Sequence, residues 1–335
     1  VTSFEIYEAQ GAEFVALLED AFPPQDIYRK VGELSNAGRR RVRSLANVQS
    51  ELIQQRYKKA AGRIANRILT HGDETGRLTT MLRDIDLDMW RLSKSVSGRV
   101  ESTIGAAFDQ SFHALAKTMT AVYGPYMPST IHTEVTANAF QRIHRSAVRA
   151  LLTGPDGVSL SSRVWETHRM TLTRMRSYIV NSYLAGKQSN EIAQGAKRFL
   201  VYSDADMRTT KWKRFFVENP PGRGVYKSAS KNVERVMRTE INSAYRLATA
   251  EYAADKAWIQ GVQWHVIPGH RCCDACDDLA ETDMFGFGDG IYPPDGVPIT
   301  PHPNCLCYTT LVIRPKLLAF AGLPQPDATL HALAV

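Results

Sequence analysis

Cys272, Cys273 and Cys276 are followed, about thirty residues on, by Pro301-His302-Pro303-Asn304-Cys305-Leu306-Cys307, and these two runs hold all five cysteines of a 335-residue chain. Thiols concentrated in this way point to metal binding, because a Cys-x-x-Cys turn aims two thiolates at one tetrahedral ion. Cys273 and Cys276 have that spacing and would supply half of a zinc site. The other half would come from Cys305 and Cys307, which share a face if 305–313 is a strand, or from His302 in place of one of them. Four soft ligands with a histidine in reserve suit closed, structural Zn2+. An ion closing so long a loop would contribute on the order of 10 kcal/mol to folding. Disulfides and plain buried thiols are the competing readings, and the odd cysteine count and lack of a secretory pattern weigh against bridges. Cys272, outside the Cys-x-x-Cys spacing, is the spare. His302, held extended between two prolines, is either a ligand or a donor to one.

The elements that must position these residues can be read on either side. Val262, Trp264 and Val266 alternate and predict a strand over 261–267, with 305–313 as its partner. Between them, 284–303 is rich in Gly, Pro and Asp and predicts a long loop. A two-stranded unit of this size has too thin a core to stand alone, so a metal staple would be needed to hold it.

Upstream, Arg238-Thr239-Glu240 lies on a helix predicted over about 232–256, whose apolar face is Val233, Met237, Ile241, Ala244 and Ala248. Together with Trp264, Arg271-Cys272-Cys273-Asp274-Ala275-Cys276 and His302-Pro303-Asn304-Cys305-Leu306-Cys307, this run resembles the phage head morphogenesis proteins, the Mu F-like minor head proteins. That family has an Arg-Thr-Glu helix, a Trp strand, a Cys-x-x-Cys turn and a closing His-Pro-x-Cys-Arg-Cys, in the same order. Leu160 to Trp165 and Gly186 to Ala193 resemble its opening helix and Gly-x-Ser turn, so the likeness covers about 158–313. Gly269, Cys272 and Leu306 stand where the family usually has Asp, Thr and Arg.

The resemblance implies a minor head protein of a tailed phage, present in multiple copies inside the head near the portal vertex, and in the host cytoplasm during assembly. Its partners would be the portal protein or the major capsid protein, with packaged double-stranded DNA as a further contact. It also implies a bracing role for Arg238 or Glu240 against the zinc unit or a neighbouring subunit. An ordinary surface pair of Glu234 with Arg238, one turn on, is the alternative.

The rest of the chain reads as helical. From Leu78, apolar residues recur every three or four positions through Leu82, Ile85, Met89, Leu92, Val96, Val100, Ile104, Phe108, Phe112 and Leu115. This predicts one long helix, either core of a bundle or a partner-binding surface. A stretch from about 26 to 69 carries Arg39, Arg40, Arg41, Arg43, Arg56, Lys58, Lys59, Arg63 and Arg67, which could meet DNA phosphates or simply form a solvated face. Net charge is +7, a modest excess, and the apolar fraction of 44% is ordinary for a globular protein. Lys211-Trp212-Lys213-Arg214-Phe215-Phe216 mixes basic and aromatic groups as single-strand binders do, though a solvated charged edge has the same composition. Trp165, His168, Leu172, Met175, Ile179 and Tyr183 form another helical stripe, with His168 a core histidine, and Ser189 is the predicted cap of the next helix. No signal-peptide pattern or membrane-length apolar run is visible, which predicts no membrane association.

The expected fold is mainly α: an elongated helical part over 1–157, a helical part over 158–260, a β unit with the Cys/His knuckle over 261–315 and a tail over 316–335. The expected role is structural, without catalysis. A zinc-stabilised DNA-binding protein or a nuclease is the alternative, and the latter would need an open metal position and a general base.

Overall fold

A computed structural model describes residues 24–71, 77–123, 148–149, 151–153, 159–201, 214–215, 217, 228–254, 256, 259–267, 274–303 and 305–313. Cys272, Cys273, the run 211–213 and the tail 316–335 lie outside these residues. The chain is mainly helical with a small sheet near its C-terminus. In order it forms α1 (Pro24–His71), α2 (Leu78–Tyr123), α3 (Leu160–Leu184), α4 (Ser189–Leu200), α5 (Ala229–Ala254), β1 (Ile259–His265), α6 (Asp274–Glu281), β2 (Ile291–Tyr292) and β3 (Tyr308–Ile313). No helix among the described residues is long and apolar enough to cross a membrane.

Two compact units divide the chain, one drawing on 46–103 and 152–238, the other on 1–45, 104–151 and 239–335. Each takes chain from both sides of the Gly154-Pro155-Asp156-Gly157 stop. The stripe along α2 is core in both units, for every residue from Leu82 to Leu115 named above is at most 8% exposed. Its spacing thus marks packing and not a partner surface.

In the unit of 46–103 and 152–238, whose described elements are helices, Ile53, Tyr57, Ile64 and Ile68 of α1 are buried, as are Met81, Ile85, Met89, Val96 and Val100 of α2. On α3 the buried face is Val164, His168, Met175 and Ile179, while Trp165 of the predicted stripe is exposed. The stripe holds from His168 onward, and only its first inward position differs, because Val164 is the i,i+4 neighbour of His168. Asp88, buried on α2, accepts from Arg67 Nε at 2.7 Å and Arg63 Nε at 3.4 Å, and Arg67 also pairs with Asp84 at 2.8 Å. Arg56 donates to the Ser95 hydroxyl. Three of the cations that could have met phosphate are therefore engaged within the unit. Gly195 of α4 lies under the Tyr178 ring, where a Cβ would stand 1.9 Å from the phenol oxygen. Tyr178, Phe199 and Phe215 then close an aromatic cluster with centroids 5.4–5.7 Å apart. Gln188, and not Ser189, occupies the cap position of α4, and Glu191 lies in the first turn as expected.

The sheet has three strands and not two, in the order β2-β1-β3, both pairings antiparallel. The segment read as loop contributes β2 and a single 3-10 turn at Pro294–Gly296. Gly261 makes β2 possible, since a Cβ there would lie 2.4 Å from the Tyr292 carbonyl oxygen. Val262 and Trp264 of β1 are buried as their alternation predicts, and the Tyr245 hydroxyl of α5 donates to the Thr309 carbonyl at 3.1 Å. His265 stacks on Tyr308, whose ring also takes the Arg39 guanidinium at 4.3 Å.

His168 is fixed as one neutral tautomer: Nδ1–H donates to the Val164 carbonyl at 2.8 Å, so Nε2 accepts from the Tyr57 hydroxyl at 2.8 Å. Burial pushes its pKa down to about 4. The native state therefore resists a proton that the unfolded chain accepts near pH 6.5. His168 contributes stability that is fully present above pH 6.5 and is lost as pH falls towards 4, on the order of 3 kcal/mol in all. In urea unfolding at a series of pH values, His168→Phe should flatten this slope while costing about 1–3 kcal/mol at neutral pH for the stranded Tyr57 hydroxyl. An unchanged slope would assign the acid sensitivity to other groups.

Candidate metal centre

Cys276, Cys305 and Cys307 converge, although about thirty residues separate the first from the other two. Cys276 lies in the first turn of α6, where backbone N–H groups favour a thiolate. The Tyr292 hydroxyl of β2 donates to the Leu279 carbonyl at 2.9 Å and anchors that helix to the sheet. Gly290, at φ 67°, lets the chain turn from α6 into β2 where a Cβ would meet the Ala280 carbonyl oxygen at 2.7 Å. Cys305 and Cys307 directly precede β3, which begins at Tyr308 and not at Cys305 as the sequence predicts. They owe their common orientation to the segment 299–307, not to strand alternation.

All three thiols are at most 1% exposed, and their sulfurs lie within 4.8 Å of one another. Cys276 and Cys305 sulfurs are 3.7 Å apart. A disulfide needs about 2.05 Å, and the three described cysteines are free. Metal–sulfur bonds of about 2.3 Å at tetrahedral angles place sulfurs about 3.8 Å apart, so the observed spacing suits a shared cation. The three buried cysteines could hold a metal ion.

His302 stands beside Cys276. Its Nδ1–H donates to the Pro303 carbonyl at 3.0 Å, which leaves an unprotonated Nε2 3.0 Å from the Cys276 sulfur. A histidine whose second nitrogen is tied to a carbonyl is the usual form of a metal-ligating imidazole. Among the described residues the converging group is the three cysteines alone, with His302 beside Cys276 but outside it; Cys273, predicted to pair with Cys276, lies outside the described residues.

The electrostatics centre on Arg246 of α5, which is 0% exposed. Its Nε donates to the Ile299 carbonyl at 2.7 Å, and Nη1 donates to the Cys307 carbonyl at 2.9 Å with the Cys305 sulfur at 3.7 Å. Its guanidinium carbon stands 5.4 Å from the centre of the Trp264 ring. Burial pulls the Arg246 pKa down, while Cys305, Cys307 and Cys276 hold it up. The Cys307 thiol, hydrogen-bonded to the Cys305 sulfur, lowers the Cys305 pKa to about 5, with Arg246 adding to the effect. That same bond raises the pKa of Cys307.

Of the residues expected to brace this unit, Arg238 belongs to the other compact unit and pairs with Glu234 at 2.9 Å, as its i,i+4 spacing allows. Glu240 is buried, at 4% exposure. The guanidinium that reaches the cysteines is Arg246, which the sequence reading missed. A signal existed: Arg246 is the one charged residue between Ile241 and Ala250, so it has no carboxylate at i±3 or i±4 on its own helix. The candidate DNA contacts Arg40, Arg41, Arg43, Lys58 and Lys59 are exposed, whereas Arg39 is half-buried over Tyr308.

Cys276→Ser, Cys305→Ser and Cys307→Ser should each abolish bound metal and lower the melting temperature of the chain, while Cys272→Ser does neither. His302→Ala should keep the thiol cluster but weaken metal affinity by about 10- to 100-fold, the range seen when a metal site loses supporting groups. Elemental analysis of the purified chain against protein concentration checks both, and full occupancy in Cys305→Ser would refute the assignment.

Compared with known protein families, curated proteins and solved structures, the chain matches none.

Proposed function

We propose that the chain is a structural component of a tailed-phage head, a minor head protein near the portal vertex, and that Zn2+ is the structural ion of its cysteine cluster. One observation carries the reading: Cys276 is brought together with Cys305 and Cys307, uniting the two motifs on which the resemblance to the head morphogenesis proteins rests. Zinc is favoured among divalent ions because thiolates with an imidazole are soft ligands at tetrahedral spacing. With a fourth ligand from the chain, Cys273 or His302, the ion would be enclosed by protein, which is the pattern of a staple and not of a catalyst. A nuclease centre would call for carboxylates and an open position, and among the described residues no carboxylate joins the group.

Portal or major capsid protein would be the partner, with the chain in several copies inside the head. Contact with packaged DNA is a second reading, favoured by the exposure of Arg40, Arg41, Arg43, Lys58 and Lys59. Such contact would be independent of base sequence and would weaken steeply with salt.

Quantitative mass spectrometry of purified particles and of empty heads from the same source should find the chain in both, in several copies per particle. Absence from both would overturn the head-protein reading and leave the metal centre standing. For the second reading, replacing Arg40, Arg41, Arg43, Lys58 and Lys59 by Gln should reduce both affinity for duplex DNA and the slope of log affinity against log salt. An unchanged slope would remove these five from the DNA-contact set.

A further inference from the structure

We propose that Arg246 is the positioning and charge-balancing residue of the cysteine cluster, the group that lets three buried sulfurs hold one divalent thiophilic ion. The proposal rests on the reading that the cluster binds metal, and it concerns a residue outside the ligand set. Three thiolates and a neutral imidazole around a dication leave one net negative charge. An unbalanced charge out of water is costly, and a fully buried guanidinium is the complement.

Arg246 needs an anion as much as the cluster needs a cation. Among the described residues its hydrogen-bond partners are two carbonyl oxygens and a sulfur, with no carboxylate. The cysteine sulfurs are therefore the negative groups at hand, and the Trp264 face behind the guanidinium both favours the cation and keeps water away.

Geometry gives the side chain a second task. Ile299 and Cys307, whose carbonyls it binds, flank the segment that carries His302 and Cys305. One planar fork thus ties down both ends of the ligand-bearing loop, and Ser243, one turn earlier on α5, adds a hydroxyl contact to Thr300 at 2.7 Å. Lysine would keep the charge but cannot reproduce the fork.

The test uses the full chain, stripped of metal by a chelator and reloaded with Co2+ and with Zn2+. Affinity is read by competition with a chromophoric chelator, and thiolate ligation by the sulfur-to-cobalt charge-transfer band. Arg246→Gln should bind about 10- to 100-fold more weakly than the wild type, with a reduced charge-transfer band per cobalt, and Arg246→Lys should fall between them. Lys and Gln variants equally weak would overturn the charge-balancing role, because a purely structural fork is lost in both. Wild-type affinity in Arg246→Gln would overturn the proposal as a whole. If Arg246→Gln does not fold, Arg246→Lys decides: it must bind more weakly than wild type, and equal affinity overturns the clamp. A wild-type chain that takes up neither Co2+ nor Zn2+ would instead defeat the metal reading itself.

Discussion

Three cysteine sulfurs buried around one guanidinium set the terms for the C-terminal part of the chain, because charge taken out of water must meet opposite charge at contact distance. Arg246 reaches them from α5, Cys276 from the start of α6, and Cys305 and Cys307 from the segment leading into β3. The chain must turn at Gly290 to bring β2 alongside β1, and Gly261 must lack a side chain for β2 to fit. A sheet of this size buries little apolar area of its own, so the cluster and the α5 contacts carry a large share of its stability.

The unit of 46–103 and 152–238 solves a different problem with the same physics. Its core is apolar, yet it encloses Asp88 and His168. Asp88 is met by two guanidinium groups, and His168 stays neutral by donating at Nδ1 and accepting at Nε2. Cations reach the carboxylate, whereas the imidazole gives up its charge because only a hydroxyl and a carbonyl reach it.

The described side chains at the cluster are three cysteine sulfurs, the His302 imidazole beside Cys276 and the Arg246 guanidinium beside Cys305.

Local pattern was enough to determine a good deal. The helix-period stripe of α2, the apolar face of α5, the alternation in β1 and the meeting of Cys276 with Cys305 and Cys307 could all be read from residue type and spacing, because each depends on neighbours a few positions apart or on a chemistry few residues share. Tertiary structure alone decided the third strand, the start of β3 after the cysteines, the inward turn of Val164 in place of Trp165 and the choice of Arg246 over Arg238 as the cation at the cluster. A two-residue strand has no period to detect, and the partner of a buried charge lies wherever the fold brings an opposite charge within reach, at a sequence distance that no local rule encodes.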